Sequence, residues 1–169
     1  TNTEGKMRII LDGMGGDNAP MEIVKGAVNA VNSRKDIKVF LVGQEDAIQG
    51  ELKKYSYPAN QIEVVHASEV IEMGEAPGQA IRKKKNSSIV LTVNSVATGS
   101  SDALVAAGST GAAMASSLFG LGRIPGVDRP AIAVTLPTMK KPIVVIDGGA
   151  NSNCTPQMLI FCKQKRTTF

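Results

Sequence analysis

Three segments of the sequence join glycines to short polar side chains: Asp12–Pro20 (DGMGGDNAP), Gly108–Gly111 (GSTG) and Asp147–Asn151 (DGGAN). Each follows an apolar run that reads as a strand. In open α/β sheets, ligands sit at the carboxyl ends of strands, where backbone N–H groups at helix N-termini face an anion. Gly13, Gly15 and Gly16 let the first segment turn tightly or approach a ligand, and Asp17 or Asn18 suits a helix cap. In the second, Ser109 and Thr110 place hydroxyls and free amides between Gly108 and Gly111. In the third, Asp147 and Asn151 flank glycines. Lys does not follow Gly111, so GSTG is not a Walker A loop, and no Gly-x-Gly-x-x-Gly fingerprint occurs. The same residues equally suit plain structural roles: an Asx-capped turn, a small-residue turn for close helix packing, and a closing loop.

His66, the only histidine, ends the run Ile62–His66 (IEVVH), and histidine is the residue type most often used as a general acid or base. It equally suits a hydrogen bond to the next turn. Asp12, His66 and Asn151 are the candidate catalytic groups. Arg82, Lys83, Lys84 and Lys85 form a basic run that reads either as a solvated face or as a surface for an acidic protein or phosphate. Asn86–Ser88 can cap a following helix. Arg123 and Arg129 carry the planar fork suited to phosphate or carboxylate. One histidine, two poorly placed cysteines (Cys154 and Cys162) and no clustered carboxylates predict no metal site.

The elements that must position these groups follow from periodicity. Arg8–Asp12, Lys38–Gly43, Ile62–His66, Asp102–Ala107, Ala131–Leu136 and Ile143–Asp147 read as strands. Pro20–Val31, Glu45–Tyr55, Ser88–Thr98 and a stretch after Gly111 read as helices, with Pro20 in a first helical turn. This alternation predicts a three-layer α/β/α fold with a mostly parallel sheet and the glycine turns along one edge. Met7 fits a native start, with residues 1–6 an appended segment. The pattern holds to Leu159, whereas 160–169 diverge, as truncation or a frame change near Phe161 would produce.

The 169 residues, 43% of them hydrophobic, suffice for one well-buried domain. Of the formal net charge of +4, Lys163, Lys165 and Arg166 account for all but a single unit. Basic residues are not interleaved with aromatics, which argues against nucleic acid. Ala103–Leu121 is too rich in Gly, Ala and Ser to cross a membrane, and the cysteine usage fits a reducing cytoplasm.

The order of the motifs resembles the bacterial phosphate acyltransferase (PlsX-type) family. The resemblance rests on Asp12–Asp17 with Ala19 and Pro20, His66–Glu69 (HASE), Arg82–Lys85 with Ser87 and Ser88, and Ala107–Gly111. It continues through Leu121–Ile124 (LGRI), Asp128–Ala131 (DRPA), Pro137 with Thr138, and Gly149–Asn151. It covers Met7 to about Leu159. Members are longer, so this chain would correspond to their N-terminal half. The resemblance implies formation of acyl phosphate from acyl-acyl carrier protein and inorganic phosphate, with no metal or organic cofactor. It also implies a fold similar to that of phosphate acetyltransferases and isocitrate or isopropylmalate dehydrogenases. A homodimer, a cytoplasmic location and peripheral membrane contact through the remaining half are further implications. Gly15, Gly16, Asp17, Asn18, Gly108, Ser109, Thr110 and Gly111 would bind phosphate or substrate, and Arg82–Lys85 would meet the carrier protein. Ser109 stands where many members carry Asn. The alternatives are a phosphate acetyl- or butyryltransferase using a coenzyme A thioester, and a non-catalytic anion-binding domain; a dehydrogenase lacks its fingerprint.

Overall fold

A computed structural model describes residues 5–125, 127, 130–148 and 156. The chain divides into a unit that ends at Leu121 and a second unit from Gly122 onward.

In the first unit, β1 (Met7–Asp12), β2 (Ile37–Gly43), β3 (Ile62–His66) and β4 (Ala103–Val105) form a parallel sheet in the order β3-β2-β1-β4. Parallel neighbours need crossover connections, and these supply the outer layers. Helix α1 (Met21–Ser33) presents Val24, Ala27, Val28 and Val31 at helical spacing to one face, where they pack with Val39 and Leu41 of β2. Helix α2 (Glu45–Leu52) adds Ile48 and Leu52 to that cluster. On the opposite face, Ile10 and Val42 are buried with Ala67, and Leu91 and Val96 of α4 (Ser88–Ala97) pack on them. Thus β2 is apolar on both sides, as a central parallel strand must be. Full burial of each such Val, Leu or Ile stabilises by about 1.5–3 kcal/mol. Helix α5 (Thr110–Gly120) lies against α4 and against α3 (Pro77–Lys83).

The three-layer, mostly parallel arrangement agrees with the sequence-based expectation, and several details differ. Helix α3 is not among the helices expected from periodicity, because the Pro77-Gly78 pair reads as a turn; the proline instead opens the helix. Pro20 occupies the cap position of α1 and the helix begins at Met21, with no side-chain cap from Asp17 or Asn18. At α4, Ser87 is the cap residue, yet its hydroxyl donates to the Lys84 carbonyl at 2.8 Å instead of capping. The strand expected over Asp102–Ala107 is only Ala103–Val105.

In the second unit, β5 (Ala133–Leu136) and β6 (Ile143–Ile146) pair antiparallel with each other and belong to no parallel sheet. The connector 137–142 is too short for the crossover that parallel pairing requires, which takes a dozen or more residues. The Thr138 hydroxyl closes this connector by donating to the Lys141 carbonyl at 2.7 Å. The third glycine segment therefore does not end a strand of the four-stranded sheet. Its residues Gly149–Asn151, the motif residues Asp128 and Arg129, both cysteines and the tail after Leu159 lie outside the described residues.

The short strand β4 is fixed at its start by Arg8. The Arg8 guanidinium donates to both carboxylate oxygens of Asp102, at 2.7 and 3.2 Å, and to the Gly99 carbonyl at 2.9 Å. The Arg8 amide adds a bond to Asp102 at 2.7 Å. The side-chain hydrogen bond from Arg8 is the main cause that lowers the Asp102 carboxyl to about 2. A depressed folded-state value gives stability that is present above the unfolded value of roughly 4 and lost as pH falls towards 2. The melting temperature of the chain should therefore fall between pH 4 and pH 2. Asp102→Asn should lower it at pH 6 and flatten that acid limb, as circular dichroism melts across the pH series would register.

Candidate active site

The carboxyl ends of β1 and β4 meet at a cleft in the first unit. Its floor is made of Asp12, Gly15, Gly16, Gly108 and Ser109; its outer wall consists of Ile71, Glu72 and Met73; Met14, Ser88, Ile89, Ala106, Ala112 and Ala113 complete the lining.

The two glycine turns touch backbone to backbone. A Cβ on Gly15 would lie 2.9 Å from the Gly108 nitrogen and 2.8 Å from the Asp12 carboxylate. A Cβ on Gly108 would in turn lie 2.9 Å from the Gly15 Cα. Gly16 adopts φ +105°, a conformation open to glycine and rarely to other residues. Glycine is therefore required here by a close approach as well as by a turn.

Asp12 is 4% exposed beneath this contact. Its Oδ1 accepts the Met14 amide at 3.2 Å, and its carboxylate also accepts the Ser88 hydroxyl. Burial pushes its carboxyl above the ordinary value, while Ser88 and Met14 pull in the opposite direction by bonding the charged form. This is the geometry of a residue that shapes the first turn and ties it to the start of α4. Ser109 caps α5 by accepting the Ala112 amide at 3.3 Å, the service an Asn at that position also performs. The first-turn amides of α5 have no partner inside the helix, and the helix dipole makes that end attractive to anions. The described lining contains no Lys or Arg and two carboxyl side chains, Asp12 and Glu72, so an anion bound there would depend on backbone dipoles.

The fatty acid synthesis protein family matches residues 7–162. The chain belongs to that family. Among curated relatives, phosphate acyltransferase of Halothermothrix orenii is 48% identical over 153 residues, covering 90% of this chain and 46% of the relative. Phosphate acyltransferase of Desulforamulus reducens is 54% identical over 153 residues, covering 90% and 45%. The chain thus spans about half the length of the curated relatives it matches. Among solved structures, a phosphotransacetylase from Streptococcus pyogenes superposes with a TM-score of 0.66 at 20% identity, over 94% of this chain and 51% of that one. The likeness to that structure is one of fold.

In this member of the fatty acid synthesis protein family, the candidates chosen from sequence separate. Asp12, Gly15, Gly16, Gly108 and Ser109 come together at the cleft. Asp17 and Asn18 are exposed in the turn before α1, and Thr110 and Gly111 are exposed in the first turn of α5, all outside the lining. Gly111 has a packing role, since its Cβ would meet Pro77 at 2.9 Å. His66 is exposed at the end of β3, opposite Gly43. Because β2 lies between β3 and β1, its strand end is roughly 10 Å from that of Asp12 at the usual strand spacing. Asn151 lies outside the described residues. Arg82, Lys83 and Lys85 are exposed, with the Arg82 guanidinium over the Phe119 ring at 6.0 Å, whereas Lys84 is half-buried. Sequence reasoning missed Ser88 as a partner of Asp12 and the wall Ile71–Met73, neither of which has a local signal. Among the described residues no group of three or more His, Cys, Asp or Glu is arranged to hold a metal, and no helix is long and apolar enough to cross a membrane.

The close approach of the turns makes a contrast available. Gly15→Ala should destabilise the chain by about 1–3 kcal/mol through overpacking and weaken any anion bound in the cleft. Gly26→Ala, in the exposed interior of α1 with open space around its Cβ, should stabilise by up to about 1 kcal/mol. Urea denaturation of the two variants measures both effects.

Proposed function

We propose that this chain supplies the phosphate-holding part of a site that forms acyl phosphate from acyl-acyl carrier protein and inorganic phosphate, in fatty acid and phospholipid synthesis. The observation that carries this reading is the backbone contact of Gly15 with Gly108 beside the capped start of α5. The contact draws two strand ends and one helix N-terminus around a single recess. Its setting in the fatty acid synthesis protein family, with relatives named phosphate acyltransferase, supplies the substrate class.

In the proposed reaction, a phosphate oxygen attacks the thioester carbonyl carbon. The new C–O bond forms, the carbonyl oxygen takes up negative charge, and the C–S bond then breaks to release thiolate, which takes a proton from solvent. Orthophosphate is already anionic at neutral pH, so the protein's task is to position it and to stabilise the oxyanion. Fixed amides serve this well, because they are oriented before the charge develops. Asp12 acts by holding the turn that presents those amides, and Ser109 by fixing the first turn of α5. His66 and Asn151 are proposed as supporting polar groups. Exposed Arg82, Lys83 and Lys85 offer positive charge to an acidic carrier protein. A cytoplasmic homodimer with peripheral membrane contact through further sequence completes the proposal.

Two measurements test it. Inorganic phosphate should raise the melting temperature of the chain, and Ser109→Ala, which removes a cap contributing about 1 kcal/mol, should reduce that rise. Acyl phosphate formation, followed by hydroxamate trapping in the chain joined to the remainder of a relative, should be faster with acyl-acyl carrier protein than with acyl-coenzyme A. Turnover with coenzyme A thioesters alone would move the reading to a phosphate acetyl- or butyryltransferase, and stabilisation without turnover to an anion-binding domain.

A further inference from the structure

The four basic residues 82–85 do not form one surface. Lys84 turns away from the exposed charges of Arg82, Lys83 and Lys85, and its side chain is 31% exposed. Its ammonium group pairs closely with Glu75 and donates to the Val70 carbonyl at 2.8 Å. The same Glu75 oxygen accepts the Glu72 amide at 2.8 Å. Lys84 therefore closes a ring around 70–75, the segment that carries Ile71, Glu72 and Met73 along the outer side of the cleft. The other end of that segment is tied as well. The Glu69 carboxylate accepts the Asn86 amide at 2.9 Å, and the Glu69 carbonyl accepts the Ser88 amide at 3.1 Å. Ser88 is the residue whose hydroxyl reaches Asp12.

We propose that Lys84 is a positioning residue: it holds the Ile71–Met73 wall against the cleft, and this wall receives the apolar acyl arm of the donor. The second half of that statement rests on the acyl phosphate reading. The cleft divides by chemistry. Its floor offers backbone amides from glycine turns, whereas its wall offers Ile71 and Met73 beside Met14 and Ile89. Methionine is unbranched and adapts to chains of different shape. Held by a charged pair and two main-chain bonds, the segment keeps its apolar side chains in one place without strand or helix of its own. Loss of Lys84 leaves Glu75 without its cation and the Val70 carbonyl without that donor.

Hydrogen exchange and binding, measured side by side, test this. In Lys84→Met the amides of 70–75 should exchange about tenfold faster or more, as expected for loss of hydrogen bonds to a charged group. Glu75→Gln should act in the same direction, and Lys84→Arg should restore protection. Decanoyl-pantetheine, a thioester with no carrier protein, should bind Lys84→Met about tenfold more weakly, with its phosphate response retained. Unchanged exchange in both Lys84→Met and Glu75→Gln overturns the positioning role. Weaker binding of the carrier protein with undiminished binding of decanoyl-pantetheine overturns it too, because Lys84 would then be a docking contact. A wild-type chain that binds neither phosphate nor thioester overturns the acyl phosphate reading and the wall's acyl role, while the exchange data still decide whether Lys84 holds the segment.

Discussion

The cleft depends on one steric condition, that no side chain stand between the turn after β1 and the turn after β4. Gly15 and Gly108 meet this condition reciprocally, each occupying the space that a Cβ on the other would need. A larger residue at either place would drive apart two segments that lie far from each other in sequence. Van der Waals repulsion at such distances rises steeply, and interiors relax only partly around an added atom. The precise placement of amides around the recess is thus fixed by an exclusion, and hydrogen bonds then hold what the exclusion permits.

Asp12 gives the clearest case of that second layer. A buried carboxylate is costly unless its oxygens are bonded, and this one is served by Met14 from its own turn and by Ser88 from the start of α4. The same stretch that provides Ser88 also anchors Glu69. The floor of the cleft and its outer wall therefore share one helix start, although the first derives from the sheet and the second from an irregular segment.

How much of this was legible in the sequence depended on whether the signal was local. The strands β1, β2 and β3 announced themselves as Val- and Ile-rich runs, and α1 by apolar positions at Val24, Ala27, Val28 and Val31. The glycine turns were visible as composition, and Gly15, Gly16, Gly108 and Ser109 do line one cleft. What was not legible is mutual. Nothing near Gly15 says that its Cβ space belongs to Gly108, nothing near Ser88 points to Asp12, and Lys84 looks like Lys83 and Lys85 until Glu75 and Val70 are brought beside it. Caps are illegible for the same reason, since Asp17, Asn18 and Ser87 have capping chemistry without capping geometry. The antiparallel pairing of β5 with β6 has a signal in the short connector 137–142, which leaves no room for a crossover.

The brevity of β4 gives the ion pair at its start a second meaning. A strand that pairs with β1 only through Ala103, Leu104 and Val105 has little ladder to resist sliding. One end of it is moored by Arg8 and Asp102 and the other runs into Gly108, so β4 acts as a tether between a salt link at the foot of the sheet and the amides at its crown. Protonating Asp102 removes the charge that Arg8 holds at the foot of that tether.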